Sequence, residues 1–103
     1  MKNSPLSIIL AASFFMGCAT AEFAPSKVAQ TYQPRKSADQ IEVFRTQLPQ
    51  RKFIEIGSVM AWRGKQETLI NLLRQQAAEH GGDAIIGLEP QINGMAATVI
   101  RFQ

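Results

Sequence analysis

The pattern of apolar and polar positions divides the chain into three stretches. Residues 6–16 form an apolar run without a charge, and residues 19–39 are rich in small and polar residues with no period of 2 or 3.6. From residue 40 onward, β-prone runs and one helical period alternate, separated by Gly, Pro and Asn. Periodicity of this kind is the main signal for packed secondary structure, so a folded domain is expected only over residues 40–103.

Five elements are predicted within that domain. Strands are expected at residues 41–44 and 53–62, a helix at residues 66–80, and two more strands at residues 83–88 and 95–102. The order is β-β-α-β-β. We therefore predict an α+β fold in which a four-stranded sheet carries the helix on one face.

The predicted helix has an apolar face and a defined end. Leu69, Leu73 and Ala77 recur at helical spacing, which predicts the face that packs on the sheet. Gly81 and Gly82 follow, and glycine tolerates the positive φ with which many helices end.

Glycine, proline and asparagine mark irregular points in the strands. Gly57 interrupts the strongest strand and predicts a bulge or a close backbone contact. By simple alternation, Trp62 falls on the apolar side of that strand and is expected in the core. Asn93-Gly94 predicts a two-residue type I′ hairpin loop, and Pro90 predicts a bulge or an opening beside it.

Length, charge and cysteine content exclude several classes of protein. The 103 residues carry a formal charge of +3, but residues 40–103 hold seven Lys and Arg against six Asp and Glu, a balance of +1. A multidomain enzyme, a strongly basic nucleic-acid binder and, with one cysteine, a disulfide-stapled miniprotein are excluded. A domain of 64 residues buries only roughly 60% of its surface. Since association of copies would bury more, the alternative of a homo-oligomer is left open.

Residues 1–17 have the composition of an export signal. Lys2 supplies a positively charged start, and the apolar run at residues 6–16 follows it. This run is shorter than the roughly 20 residues that span a bilayer as a helix, but it fits the apolar core of a secretory signal peptide.

The end of that run carries a family resemblance. Phe15-Met16-Gly17-Cys18 resembles a bacterial lipobox, although the family prefers Leu at the position of Phe15. The resemblance implies cleavage between Gly17 and Cys18, where the small Gly17 gives a peptidase access. It also implies that Cys18 is lipidated, with a diacylglyceryl group on its sulfur and fatty acyl chains such as palmitate.

The residues after Cys18 bear on the destination of the chain. In lipoproteins of Gram-negative bacteria, Asp at the position of Ala19 favours retention in the inner membrane, so the resemblance implies an outer-membrane protein that faces the periplasm. Ala19-Thr20-Ala21 is also a small-x-small site for ordinary signal peptidase. Cleavage after Ala21 would discard Cys18 and release a secreted soluble protein, and this alternative stays open.

Residues 18–39 are interpreted as a lipid anchor followed by a flexible tether. Two prolines and many small or polar residues are typical of a linker. About 21 residues of flexible coil have a root-mean-square reach of roughly 25 Å, so the domain is expected to float clear of the headgroups.

A second resemblance lies at the junction between the helix and the following strand. The pattern Arg-x-x-Ala-x-x-x-Gly-x-Asp-Ala, from Arg74 through Ala77, Gly81 and Asp83 to Ala84, resembles small envelope lipoproteins of the RcsF-like kind. It is also similar to YbjQ-like β-α-β domains, some of which are described as heavy-metal-binding. The first resemblance implies an envelope lipoprotein, and the second implies a ligand-binding or metal-binding oligomeric module.

No catalytic, metal or cofactor site is predicted. His80, the single histidine, lacks the second ligand that metal spacings require, and its place in the last helical turn suits the helix dipole. Asp83 follows a helix-ending Gly-Gly pair and is expected to accept hydrogen bonds from loop amides. Glu55 is expected to face water or to pair with Arg51 or Arg45 across strands.

The remaining candidates concern surfaces. Arg51, Lys52, Arg63 and Lys65 are assigned as a candidate interaction surface for an envelope protein or a cell-wall acid. The near-neutral charge of the domain favours the alternative that these residues belong to ordinary solvated faces. From the lipobox resemblance and the lack of a recognisable nucleophile–base pair, we expect a non-enzymatic lipoprotein that presents a small domain to an envelope partner. The alternative from another class is a small-ligand or metal-binding oligomer.

Overall fold

The computed structural model describes residues 18–27 and 30–103. The predicted signal segment, residues 1–17, lies outside the described residues. Along the described chain, the structure contains strands, a 3₁₀ turn and an α-helix. In order these are β1 (Thr20–Pro25), the 3₁₀ turn (Ala38–Gln40), β2 (Glu42–Phe44), β3 (Phe53–Trp62), α1 (Gln66–Glu79), β4 (Ala84–Gln91) and β5 (Gly94–Phe102).

The strands form one mixed sheet in the order β1-β3-β5-β4-β2. β2 runs parallel to β4, and the other neighbouring pairs are antiparallel. α1 packs on one face of the sheet, which confirms the predicted α+β class with a helix on one face. The predicted number of four strands is wrong, because β1 adds a fifth at the edge beside β3.

β1 lies in the segment that the sequence assigned to a flexible tether. Each of its six residues pairs with β3, from Thr20 opposite Trp62 to Pro25 opposite Gly57. Ala21 and Phe23 are the half-buried positions, so the apolar alternation covers too few residues to stand out. This edge strand forms because β3 supplies a hydrogen-bonding partner, which local sequence does not reveal.

Gly57 produces the predicted bulge in β3. The register with β5 shifts between Glu55 and Gly57, and a Cβ on Gly57 would lie 2.4 Å from the Phe23 ring. The bulge reverses the alternation, so Val59 and Ala61 are buried in the core together with Ile56. The expectation that Trp62 belongs to this core is wrong, because the shift turns it to the other face, where it is half-buried.

α1 is confirmed within one residue of its predicted end. Its buried residues are Leu69, Ile70, Leu73, Ala77 and Ala78, and they include all three residues of the predicted apolar face.

The end of α1 is closed by both glycines. Gly81 has a φ of 88°, its N–H donates to the Ala78 carbonyl at 3.2 Å, and the Gly82 N–H donates to the Ala77 carbonyl at 2.7 Å. These two bonds are the pattern of a Schellman motif. Gly82 is required for close packing and not for a positive φ, because a Cβ there would lie 2.3 Å from Val99 Cγ1.

The β4–β5 hairpin differs from its prediction by one residue. Its loop is Ile92-Asn93, and Gly94 already pairs with Gln91. Asn93 has a φ of 60° while Ile92 has no positive φ, so the turn is not type I′, which needs positive φ at both loop residues. Pro90 stays within the pairing register, and the irregularity falls earlier, between Ile86 and Glu89.

The sheet buries apolar residues on both faces. The main core, between the sheet and α1, includes Ile41, Val59, Leu73 and Val99. A smaller cluster on the other face contains Ala84, Ile86, Ile100 and Phe102, with Phe44 and Phe53 packed against it. The start of β4 is therefore buried on both faces. Over the described ranges, no helix combines the length and the hydropathy needed to cross a membrane.

Candidate functional site

The sheet has two ends that differ in chemistry. β3 contains ten residues and is therefore roughly 33 Å long. At one end β3 and β4 finish, β1 and β5 begin, and Cys18 lies two residues before the first residue of β1. We call this the Cys18 end. At the opposite end β3 begins and β5 finishes beside the start of β4, and we call this the Asp83 end.

Cys18 is exposed, as the predicted lipidation requires. Ala19 is half-buried and packs against the main core, and a Cβ on Gly64 would lie 3.2 Å from its methyl group. Thr20 then pairs with Trp62. The chain is therefore incorporated into the domain one residue after Cys18, with no spacer between them.

An open groove of about 1120 Å³ occupies the Cys18 end. Its floor and walls come from the ends of β3 and β4, the hairpin tip and the first turn of α1. The charged side chains among its described lining residues are both arginines. The lining residues are Thr20, Arg45, Trp62, Arg63, Gly64, Gln66, Leu69, Leu88, Pro90, Gln91, Ile92, Asn93, Gly94 and Met95.

Backbone contacts hold the hairpin tip against the end of β3. The Arg63 N–H donates to the Asn93 carbonyl at 3.1 Å, and Arg63 itself has a φ of 67°. A Cβ on Gly94 would lie 2.4 Å from the Ala61 carbonyl oxygen, so the two strands approach too closely there for any side chain. These contacts leave the Ile92 side chain at the tip 91% exposed.

The Asp83 end is organised around a buried carboxylate. Asp83 is 1% exposed and accepts a hydrogen bond from the Phe102 N–H at 2.8 Å. The Arg35 guanidinium donates to both Asp83 oxygens, with Nε 2.9 Å from Oδ1, and also donates to the Phe102 carbonyl at 2.9 Å. The expectation that Asp83 serves loop amides is wrong, because its amide partner belongs to β5 and its main partner is Arg35.

Opposing effects act on the pKa of Asp83. Burial raises the pKa of its carboxyl group, but the hydrogen bonds from Arg35 and from the Phe102 N–H lower it, as do the charges of Arg35 and Lys36. The lowering effects prevail, so the pKa of Asp83 lies below its ordinary value. The same hydrogen bond raises the pKa of Arg35. The pair is therefore ionised at neutral pH.

Further cations surround the Phe102 ring. The Arg51 guanidinium carbon lies 4.2 Å from the ring centroid and the Lys36 ammonium 5.7 Å from it, both within the range of cation–π attraction. A crevice of about 230 Å³ opens among these side chains, Arg35 and Asp83. Asp83 balances one of the three cations, so this surface keeps a positive charge.

Residues 30–36 are held against the domain, contrary to the expected free tether. Arg101 donates to the Gln33 carbonyl at 3.1 Å and to the Gly81 carbonyl at 2.6 Å, and its guanidinium lies 5.1 Å from the Tyr32 ring centroid. Together with the Arg35–Asp83 pair, these contacts attach the segment before β2 to the Asp83 end.

The structure separates the four basic residues that were assigned to one interaction surface. Arg51 and Lys52 come directly before β3, whereas Arg63 and Lys65 come after it, a strand length away. They do not form one patch. Each pair instead contributes to a different end of the sheet.

Of the other candidate residues, His80 and Arg74 contact neighbouring parts of the fold. His80 stacks on Phe23 with ring centroids 4.1 Å apart and an interplanar angle of 8°. Glu55 is exposed. Arg74 donates to the carbonyls of Ile41 and Asp39, at 3.1 and 2.9 Å, and so joins α1 to the 3₁₀ turn. Within residues 18–27 and 30–103, no group of three His, Cys, Asp or Glu side chains could hold a metal ion.

The pattern behind the second family resemblance stabilises the fold. Ala77 and Ala84 are fully buried, Gly81 ends the helix, Asp83 binds Arg35 and Arg74 fixes the 3₁₀ turn. Each of these positions therefore has a structural role in this fold.

Sequence reasoning missed Arg35, Phe102 and the groove. Arg35 and Asp83 are 48 residues apart in the chain, and the sequence contains no local signal that joins them. The groove depends on the approach of the hairpin tip to the end of β3. The one available signal was the Asn93-Gly94 turn, which marked the hairpin tip but did not show that the tip contacts the end of β3.

Comparisons with known proteins bear on the fold alone. No protein-family model matches the chain, and no curated protein matches it. Among solved structures, the chain is similar to the Francisella virulence factor FvfA, crystallised in an orthorhombic form. The TM-score is 0.53 and the identity 17%, over 82% of this chain and 98% of that one. At this identity, the likeness shows a shared fold.

Proposed function

We propose that this protein is a non-enzymatic lipoprotein of the bacterial envelope, anchored through a lipidated Cys18 in the outer membrane and facing the periplasm. Cleavage between Gly17 and Cys18 makes Cys18 the first residue of the mature chain. The observation that carries the proposal is the position of Cys18: it is exposed, ends the lipobox-like sequence, and precedes the half-buried Ala19 and strand β1.

The structure of β1 favours this cleavage over the alternative after Ala21. That cut would remove Thr20 and Ala21, which pair with Trp62 and Ala61, and Ala21 packs against the main core. Cleavage before Cys18 leaves the strand complete. An anchor of two or three acyl chains then suffices to hold the protein, since one chain alone binds a membrane only weakly.

The domain presents the Asp83 end to its surroundings. The cations of Arg35, Lys36 and Arg51 lie there around one buried carboxylate, and Arg35 is 44% exposed. Such a surface suits a partner that carries carboxylates, either an acidic envelope protein or a cell-wall component. Charge complementarity of this kind mainly accelerates association and selects the partner.

A ligand-binding module is the second candidate, and the groove at the Cys18 end favours it. Its volume of about 1120 Å³ slightly exceeds the roughly 300–1000 Å³ of ordinary small-molecule pockets, so it is large enough for a ligand. Native mass spectrometry of the mature protein separates the two candidates. A monomer without bound ligand or metal supports the first proposal, and a closed oligomer or a retained small molecule supports the second.

Intact mass of the full chain, expressed in a bacterial host and extracted from its membranes, tests the lipid anchor. We expect a chain that begins at Cys18 and carries diacylglyceryl and acyl mass. The Cys18→Ser variant should lose this mass and the membrane association together. An unlipidated chain that begins at Glu22 would contradict the proposal.

A further inference from the structure

We propose that the Cys18 end of the domain docks on anionic phospholipid headgroups of the membrane that holds the Cys18 lipid, so that the domain keeps one orientation on the bilayer. This inference rests on the proposed lipidation of Cys18 and adds the surface and the lipid chemistry that it contacts.

The chain between Cys18 and the sheet is short. Thr20 is two residues from Cys18, a distance of at most about 7 Å. Pairing of all six β1 residues with β3 prevents the rest of the segment from serving as a spacer. The sheet therefore starts at the headgroups. A flexible tether, as expected from the sequence, would have placed it tens of ångströms away.

Exposed basic side chains cluster at the Cys18 end. Arg45 and Arg63 line the groove, and Lys65 lies between two of its lining residues, Gly64 and Gln66. All three basic residues are exposed. The acidic residue of the adjoining helix turn is Glu67, so cations prevail. Basic residues close to an anionic surface are attracted to it.

An exposed apolar hairpin tip lies beside these cations. Ile92 projects from the β4–β5 hairpin with 91% of its surface exposed, and the half-buried Trp62 lies in the same groove. Apolar and aromatic side chains flanked by cations are typical of surfaces that lie in the interface of a membrane. The fold buries almost none of Ile92 and so does not account for an apolar residue at the tip.

Together these features orient the molecule. The strands run away from the bilayer, and the Asp83 end with Arg35, Lys36 and Arg51 lies roughly 33 Å farther out, the length of β3. The arrangement assigns the two basic groups to different tasks. One contacts lipid and the other faces the periplasm.

Single-cysteine labelling in vesicles tests the orientation. Lipidation consumes the Cys18 thiol, so Ile92→Cys and Gln50→Cys each provide one site for a fluorophore, at the Cys18 end and the Asp83 end of the mature lipidated protein. Gln50 is exposed and lies in the loop before β3. In vesicles of phosphatidylethanolamine and phosphatidylglycerol with nitroxide-labelled headgroups, we expect strong quenching at position 92 and little at position 50.

Matched charge variants test the role of the headgroups. Arg63→Gln with Lys65→Gln removes two cations at the Cys18 end, and Arg51→Gln with Lys52→Gln removes two at the Asp83 end. The first variant should lower the ratio of docked to undocked domain about 25-fold, since each basic residue near an anionic surface contributes about fivefold. The second should keep the ratio of the parent chain. Vesicles of phosphatidylcholine alone should reproduce the loss.

Two results would overturn the inference while leaving the lipid anchor intact. One is equal quenching at positions 92 and 50 in a chain whose mass shows lipid on Cys18. The other is a photo-crosslinker at position 92 that captures a protein instead of a phospholipid. Absence of lipid mass before reconstitution would instead contradict the proposed function itself.

Discussion

The two ends of the sheet are fixed by different kinds of contact. At the Asp83 end, side chains that are far apart in the sequence meet in a partly buried polar network, with Asp83 at 1% exposure. At the Cys18 end, backbone contacts close the structure, and the side chains of Ile92, Arg45 and Arg63 remain exposed. Side-chain contacts therefore stabilise the Asp83 end as well as forming its charged surface, whereas backbone contacts stabilise the Cys18 end and leave its side chains exposed.

Gly81 and Gly87 allow the strongest test of this comparison. Both have positive φ, 88° and 63°, but a Cβ on Gly81 would lie 2.5 Å from Tyr32 Cβ, whereas one on Gly87 would meet nothing within 4 Å. Gly87→Ala should cost about 1 kcal/mol from backbone strain alone, and Gly81→Ala about 3 kcal/mol because it adds overpacking. Chemical denaturation measures both. Equal costs would mean that residues 30–36 move away from the added methyl group without a loss of stability.

Asp83→Ala should destabilise the domain by about 2 kcal/mol, since it leaves the buried Phe102 N–H without an acceptor. The exposed side of Arg35 can regain water, which keeps the loss below that of a fully buried ion pair. Asp39→Ala is the matched control, because Asp39 is an exposed carboxylate. Urea unfolding of the two variants should rank them in this order, and a harmless Asp83→Ala would contradict the stabilising role of the Asp83 end.

The lowered pKa of Asp83 predicts a dependence of stability on pH. Between the pKa of Asp83 in the folded chain and its pKa in the unfolded chain, the unfolded chain binds more protons. Ionised Asp83 therefore contributes its full stabilisation above the unfolded pKa of about 3.9. This stabilisation is lost as the pH falls through the folded pKa. The hydroxyl of Ser37 lowers the pKa of Asp39 in the same direction. Urea midpoints should therefore fall less steeply below about pH 4 in Asp83→Asn than in the parent chain, and Asp39→Asn should change the slope in the same direction.

Ile92→Ser should have the smallest effect on stability, less than about 0.5 kcal/mol, because the side chain is 91% exposed. The same substitution should weaken docking on anionic vesicles. Thermal denaturation and lipid quenching, measured on one sample, separate the two effects. A large loss of stability would show that the hairpin tip belongs to the fold and not to a binding surface.

The fold could be predicted from the sequence where local pattern determines it. The helical spacing of Leu69, Leu73 and Ala77 and the glycines at 81 and 82 fix α1 to within one residue, and Gly57 marks the bulge. Features that depend on distant partners could not be predicted. β1 depends on β3, some 40 residues downstream, and the Arg35–Asp83 pair joins positions 48 apart.

The candidate site shows the same division. Cys18 is singled out by its local context, because it ends the lipobox-like sequence Phe15-Met16-Gly17-Cys18. The groove and the separation of the basic residues into two groups depend on where β3 begins and ends in three dimensions. The misplacement of Trp62 has the same origin, since one bulge reverses every side chain that follows it.

The central claim is that Cys18 carries the lipid at the base of the sheet. Mass spectrometry of the amino-terminal tryptic peptide from the membrane fraction tests it most directly, since cleavage after Lys27 isolates this region. The account predicts a peptide of residues 18–27 with diacylglyceryl and acyl groups on Cys18. An unmodified peptide of residues 22–27 as the mature amino terminus would contradict it.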